Sequence, residues 1–304
     1  MPQAPAMTSL QLVRRRLDLS VPVVMGVLNV TPDSFSDGGR FCDPATALAQ
    51  AVAMVGEGAA IIDVGGESTR PGAAPVGEQE ELDRVVPVIE RLHREIDCVI
   101  SIDTTKAAVM RAACAAGAEM VNDVTALRGE GALAAVREAG AAAVLMHMQG
   151  DPRTMQLEPV YADVVGEIRA FLAARVAACR AAGIDAQQIV VDPGFGFGKT
   201  LAHNLELFGG LDGIAGLGLP LMVGVSRKSM FGKLLGLTVE QRLHAGVAAA
   251  GLAVWLGASI IRSHDVRPTV EAVRFAAAVR AAKPRDLPGT RSTGAAARTG
   301  GAMP

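Results

Sequence analysis

Lys228 in the segment GVSRKSMFG, and Arg262 and His264 in IIRSHDV, each follow a short apolar run. A lysine, an arginine and a histidine gathered at one end of a sheet make a cradle for a diphosphate, the arginine as a planar fork of donors and the lysine as a point charge. Taken singly, each reads more simply as a solvated surface charge. Asp103, Asn122 and Asp192 end three other apolar runs, VISID, EMVND and IVVDPG. Carboxylates and an amide converging on one axis can read the ring N–H and amino donors of a flat heterocycle such as a pterin, with Met146 and Phe197 packing its faces. The same two aspartates could form the acid and base of a hydrolase. That reading leaves the three cationic residues unexplained.

Three loops carry further candidates. NVTPDSFSDGGRF, Asn29 to Phe41, and GGESTRPGA, Gly65 to Ala73, are punctuated by Gly and Pro and suit mobile lids over a site, the second offering Arg70 to an anion. By composition alone, an ordinary turn-rich connection is the simpler reading of the first. DPGFGFGKT, Asp192 to Thr200, imitates a phosphate loop, but that motif ending at Thr200 requires glycine where Pro193 stands. Gly194, Gly196 and Gly198 do not make a dinucleotide fingerprint either, and are expected to let the backbone approach a ligand closely.

The elements that position these residues alternate apolar runs with Ala-rich, helix-period stretches, the pattern of a parallel sheet covered by helices. Eight strands are predicted, starting near residues 23, 61, 99, 119, 142, 189, 221 and 259. Eight is the number of an α/β (β/α)8 TIM barrel, and 304 residues accommodate one such domain of about 250 with short tails. A doubly wound open sheet is the alternative. The predicted strand ends are Asn29, Asp63, Asp103, Asn122, His147, Asp192, Ser226 and His264, where barrel active sites are built, although helix capping explains any one of them as well. Residues 1–17 form an N-terminal extension with possible short leading strands, 18–284 the barrel, and 285–304 a Gly- and Ala-rich tail expected to be disordered. A formal charge of -2 offers no field for nucleic acid, and no apolar run approaches the roughly 18 residues of a membrane span or forms a secretory leader. A cytoplasmic protein is expected. Cys42, Cys98, Cys114 and Cys179 lack metal-ligand spacing and read as reduced and structural.

Together NVTPDSFSDGG, DVGGESTRPGA, ISIDT, VNDV, LMHMQG, DPGFGFGK, GVSRKSM and IIRSHDV resemble, in order over residues 12–280, the successive motifs of the bacterial dihydropteroate synthase family. Ser263 departs conservatively from the aliphatic residue expected between Arg262 and His264. The resemblance implies a pterin-binding barrel and a folate-pathway transferase joining a pterin-methyl diphosphate to 4-aminobenzoate, the reaction sulfonamides block. It implies Mg2+ as cofactor on Asn29, Asp63 under the pocket, and Thr69, Asp103, Asn122, Asp192, Lys228, Arg262 and His264 on the pterin-methyl diphosphate. Phe35, Asp37, Arg70, Pro71, Phe197, Lys228 and Ser229 would shape the 4-aminobenzoate site, with Asp37, Arg70, Asp103 and Lys228 as the catalytic set and Met146 on the substrate. It further implies a homodimer. A non-catalytic pterin-binding protein or a pterin-dependent methyltransferase domain would share the Asp/Asn set, but the methyltransferase would need neither the SRKS lysine nor the first loop.

Overall fold

A computed structural model of the chain describes residues 7–31, 44–68, 75–150, 155 and 159–282. Two short strands, β1 (Ser9–Gln11) and β2 (Arg16–Asp18), pair antiparallel. The chain then runs through β3 (Val23–Asn29), α1 (Pro44–Gly56), β4 (Ile61–Gly65), α2 (Glu78–Glu95), β5 (Val99–Asp103), α3 (Ala107–Ala116), β6 (Met120–Asp123), α4 (Ala132–Ala139), β7 (Ala142–Met146) and α5 (Val164–Ala181). It continues with β8 (Ile189–Asp192), α6 (Leu201–Gly209), α7 (Leu211–Ala215), β9 (Met222–Val223), α8 (Ser229–Leu235), α9 (Leu243–Trp255), β10 (Ile260–Ser263) and α10 (Val266–Ala281). The eight later strands form one sheet in the order β8-β7-β6-β5-β4-β3-β10-β9, every pair parallel. A parallel bridge between Val191 and Leu221, with Val191 N–H donating to Pro220 O at 3.0 Å, joins the two ends. The chain is a closed (β/α)8 barrel, not an open sheet.

The strand period of two explains why the runs look uniformly apolar yet deliver polar groups to the axis. Ile62 and Val64 pack outward against the helices, whereas Ile61 faces the barrel interior and Asp63 shares its side. Val99, Met120, Val190 and Ile260 likewise face inward, and two residues further along each strand come Ser101, Asn122, Asp192 and Arg262. Ser263 therefore points outward, where its Oγ lies 2.9 Å from Thr269 Oγ1. Its departure from an aliphatic residue is absorbed by α10 and not by the axis.

The β1–β2 hairpin closes the opposite mouth. Leu10, Leu12 and Leu19 are buried against Met25, Ile61, Val99, Met120 and Ile260. Arg14 and Arg15 clamp the hairpin to the buried Glu119, Arg15 Nε reaching Glu119 Oε2 at 2.9 Å. Cys98, Cys114 and Cys179 are free thiols, Cys98 and Cys179 buried. Among the described residues no helix is long and apolar enough to cross a membrane. Residues 285–304 and Cys42 lie outside the described residues.

Candidate active site

At the C-terminal mouth, Asn29, Gly65, Asp103 and Asn122 stand side by side in the register of β3, β4, β5 and β6. Asp63 lies two residues deeper, inside β4 and not at its end as the sequence predicts, and it is fully buried. Its Oδ2 accepts from Arg262 Nε at 2.7 Å and from Asn122 Nδ2 at 3.0 Å, and Arg262 Nη2 reaches across to Asp103 Oδ2 at 2.8 Å. One guanidinium thus ties two strands' carboxylates together from a third. With Nδ2 committed to Asp63, the Asn122 amide oxygen remains as an acceptor. Asp63 Oδ1 and Ser101 Oγ are buried without a hydrogen-bond partner, so the floor of the site carries acceptor capacity that the protein does not itself use.

Burial pushes the Asp103 carboxyl up to about 7, against the pull of Arg262 and with the help of Asp63. Asp192 is raised in the same way by burial, opposed by the N–H of Gly194, which donates to its Oδ1 at 2.7 Å, and by the nearby lysines and Arg262. Lys228 sits between these groups and Phe197, its Nζ 4.2 Å from the ring centroid. Burial and then the Arg262 charge lower it to about 8, while Asp192 and Asp103 hold it up. Lys228 occupies the N-cap position of α8, so Ser229 opens that helix and is exposed. His264 follows β10 and is fixed by Ser226, whose Oγ lies 3.1 Å from its Nδ1 and accepts its backbone N–H. Met146 joins Val124, Met148 and Met155 in an apolar wall against which Phe197 packs.

The axis therefore gathers Asp63, Asp103, Asn122, Asp192, Lys228 and Arg262, with Met146 and Phe197 beside them. Phe35, Asp37, Thr69, Arg70 and Pro71 lie outside the described residues. Asn29 joins the group at its edge: a Cβ on Gly65 would stand 3.8 Å from Asn29 Oδ1 and 3.9 Å from Asp103 Oδ2. Helix capping does not explain the strand-end residues, because the recorded N-cap positions are held by others, such as Lys106, Asp163, Thr200 and Asp265.

The glycines of the 194–198 loop correct an expectation. Gly194, Gly196 and Gly198 all take positive φ, but a Cβ at Gly194 would meet His147 O and one at Gly198 would meet Gln149 O, both impossibly close. Those two admit the protein's own neighbouring loop, while Gly194 also lies against Met146, whose Cγ is 3.2 Å from its would-be Cβ, and Gly196 faces Lys228, whose Cδ is 3.4 Å from its own. The sequence also hides Lys199. Its resemblance to a phosphate-loop lysine directs attention to an anion, whereas its side chain turns inward and is 2% exposed.

The profile of the pterin binding enzyme family matches residues 25–264. The dihydropteroate synthase of Escherichia coli (strain K12) is 50% identical over 267 residues, covering 88% of this chain and 95% of that protein. That of Haemophilus influenzae is 48% identical over 258 residues, 85% of this chain and 94% of the relative. Among solved structures, the Yersinia pestis dihydropteroate synthase with a sulfonamide drug complex superposes with a TM-score of 0.86 at 50% identity, covering 90% of this chain and 99% of that one. A Xanthomonas albilineans dihydropteroate synthase in complex with 7,8-dihydropteroate gives a TM-score of 0.82 at 46% identity and the same coverage.

Proposed function

This chain belongs to the dihydropteroate synthase family of pterin-binding enzymes, and we propose that it is the transferase that condenses (7,8-dihydropterin-6-yl)methyl diphosphate with 4-aminobenzoate, giving 7,8-dihydropteroate and diphosphate. The observation that carries the reading is the Arg262 bridge between Asp63 and Asp103, set beside Asn122, Asp192 and Lys228 on one axis. Acceptors and cations stand together in this group, the combination that a donor-edged heterocycle bearing an anionic leaving group requires.

In this reading Asp192 and the Asn122 oxygen take the donors of the pterin edge, and Met146 packs against the ring. The bond from the methylene carbon to the diphosphate oxygen breaks with its electron pair going to the diphosphate, while the conjugated ring shares the positive charge left on carbon. Lys228, Arg262 and His264 hold the leaving group where its charge develops, and Asp103 keeps Arg262 in place from behind. The 4-aminobenzoate nitrogen forms the new C–N bond and gives its proton to solvent or to the departing diphosphate. Phe35, Asp37, Thr69, Arg70, Pro71, Phe197 and Ser229 are assigned to the two substrates by family motif. No protein nucleophile takes part.

Mg2+ fits the donors at Asn29. The Asn29 amide oxygen lies at the mouth beside Gly65, Asp103 Oδ2 being held by Arg262, and Mg2+ characteristically takes one or two protein oxygens and completes its shell with substrate phosphates and water. Asn29 would hold it, and when bound it offsets charge on the diphosphate. A homodimer is proposed on the apolar side chains exposed on α9 and α10, Leu252, Trp255, Phe275 and Val279, of which Phe275 is 73% exposed. Phe275→Glu should then shift the mass measured by analytical ultracentrifugation towards the monomer. The deciding experiment for the reaction is a diphosphate-release assay with and without 4-aminobenzoate. Release that does not depend on the arylamine, or none at all, removes the proposal.

A further inference from the structure

Lys199 is a buried amine that the proposed chemistry does not use. Its Nζ donates to Gly194 O at 2.8 Å and to Phe197 O at 2.9 Å, and lies 3.1 Å from His147 Nδ1, giving three partners for the three hydrogens of an ammonium group. His147 is itself fixed. Its ring meets Phe171 edge-on at 4.9 Å and its backbone N–H donates to Asp192 O at 2.9 Å. Beside it, Tyr161 donates its hydroxyl to Gly198 O at 2.8 Å. The 194–198 loop is therefore held from behind at the carbonyls of Gly194, Phe197 and Gly198. In front, the same loop carries Phe197, whose ring lies under Lys228 and against the Met146, Met148 and Met155 wall.

Burying an amine is costly unless every donor is matched, and here every match is to the loop or to the residue that braces it. Three alternating left-handed glycines shape this loop, and the one backbone hydrogen bond within it among the described residues runs from Phe197 N–H to Gly194 O at 3.1 Å, so the Lys199 ammonium braces both ends of that single turn. We infer that Lys199 is a positioning residue: by holding Gly194 O and Phe197 O from behind, it sets the Phe197 ring under Lys228 and so the slot that the 4-aminobenzoate ring enters. Lys199 touches no reacting atom and acts through Phe197. The inference rests on the function proposed above, and turnover by the parent enzyme tests that function separately.

The test is a double-mutant cycle read in steady-state kinetics. Lys199→Met should raise KM for 4-aminobenzoate about tenfold with a much smaller change in kcat, and should add less than about twofold when Phe197 is already Ala. Tyr161→Phe, a milder loss behind the same loop, should raise that KM about threefold, again only while Phe197 is present. If Lys199→Met does not fold, Lys199→Gln, which keeps a donor at the same position, takes its place in the cycle. A lowered kcat with unchanged KM would mean that Lys199 merely supports the fold, and effects that multiply with those of Phe197→Ala would mean that it acts elsewhere. Either result overturns the inference.

Discussion

Lys228 stands with its Nζ 4.2 Å from the centre of the Phe197 ring, so a cation from the β9–α8 loop rests on an aromatic face from the β8–α6 loop. The contact fixes the lysine without neutralising it. Its charge stays available to an incoming anion.

Lys228→Ala should therefore cost about 2–4 kcal/mol of transition-state stabilisation, the range for losing one preorganised donor. Stability should hardly change, because no salt bridge of the described residues includes Lys228. Comparing kcat/KM with the melting temperature checks both halves. A variant that turns over within twofold of the parent would refute the diphosphate cradle.

Arg262 should behave differently. The sequence presents Lys228 and Arg262 as equivalent cations, yet Arg262 is the counter-charge of the fully buried Asp63. Arg262→Met leaves that carboxylate unpaired, at a cost of about 3 kcal/mol in unfolding free energy as well as lost activity. Urea denaturation of the two variants side by side measures the contrast. Equal stabilities would show that Asp63 is held mainly by Asn122.

The pH dependence follows from two opposed shifts. Lys228 has to be charged to hold a leaving anion; its charged form is present below its lowered pKa and is lost as pH rises through about 8. Asp103 has to be ionised to hold Arg262, and with its raised pKa that form is lost as pH falls through about 7. The profile of kcat/KM for the pterin substrate should be a narrow bell between these limbs. Lys228→Arg should lift the alkaline limb and leave the acid limb in place. An alkaline limb that stays where it is assigns it to another group.

At the far end of the barrel, Leu12→Ala should destabilise the protein by about 2–5 kcal/mol, since the side chain is buried under the barrel interior. Turnover below the unfolding transition should be preserved, because the hairpin packs on the interior layer at the opposite mouth from the strand-end site residues. Equilibrium denaturation and an activity assay on the same samples separate the two.

The sequence makes the barrel legible because most strands alternate outward apolar residues with inward residues that turn polar towards the mouth, β7 (AAVLM) being apolar throughout. Ile61–Gly65 shows the limit of that reading: Asp63 is visible as a polar interruption, but its depth depends on where β4 stops pairing. β9 is shorter than the run LMVGVS predicts, because pairing with β10 ends at Val223 and the chain turns off towards Arg227, a non-glycine residue at φ 59. The site residues carried on strands are readable from type and spacing alone. Lys199 is not, since it earns its place through His147, 52 residues away, and for Ser226 the strand-end position is readable but its hold on His264 is not. Glycine spacing misleads for a related reason: a missing Cβ makes room for any close neighbour, and for Gly194 and Gly198 that neighbour is another loop of the protein.

The joint between β8 and β9 has a consequence for how the molecule breathes. Elsewhere the barrel strands are stitched by two to five paired residues, but here the described residues supply a single bridge at Val191 and Leu221. Asp192 follows directly on one side of that joint, and the loop bearing Lys228 leaves from the other. Transient parting of the joint would separate the two, and amide hydrogen exchange would register it as faster loss of protection at Val191 than at Ile62 or Val121 in the middle of the sheet. A ligand contacting both sides should slow that exchange, so the protection of one backbone amide becomes a gauge of occupancy.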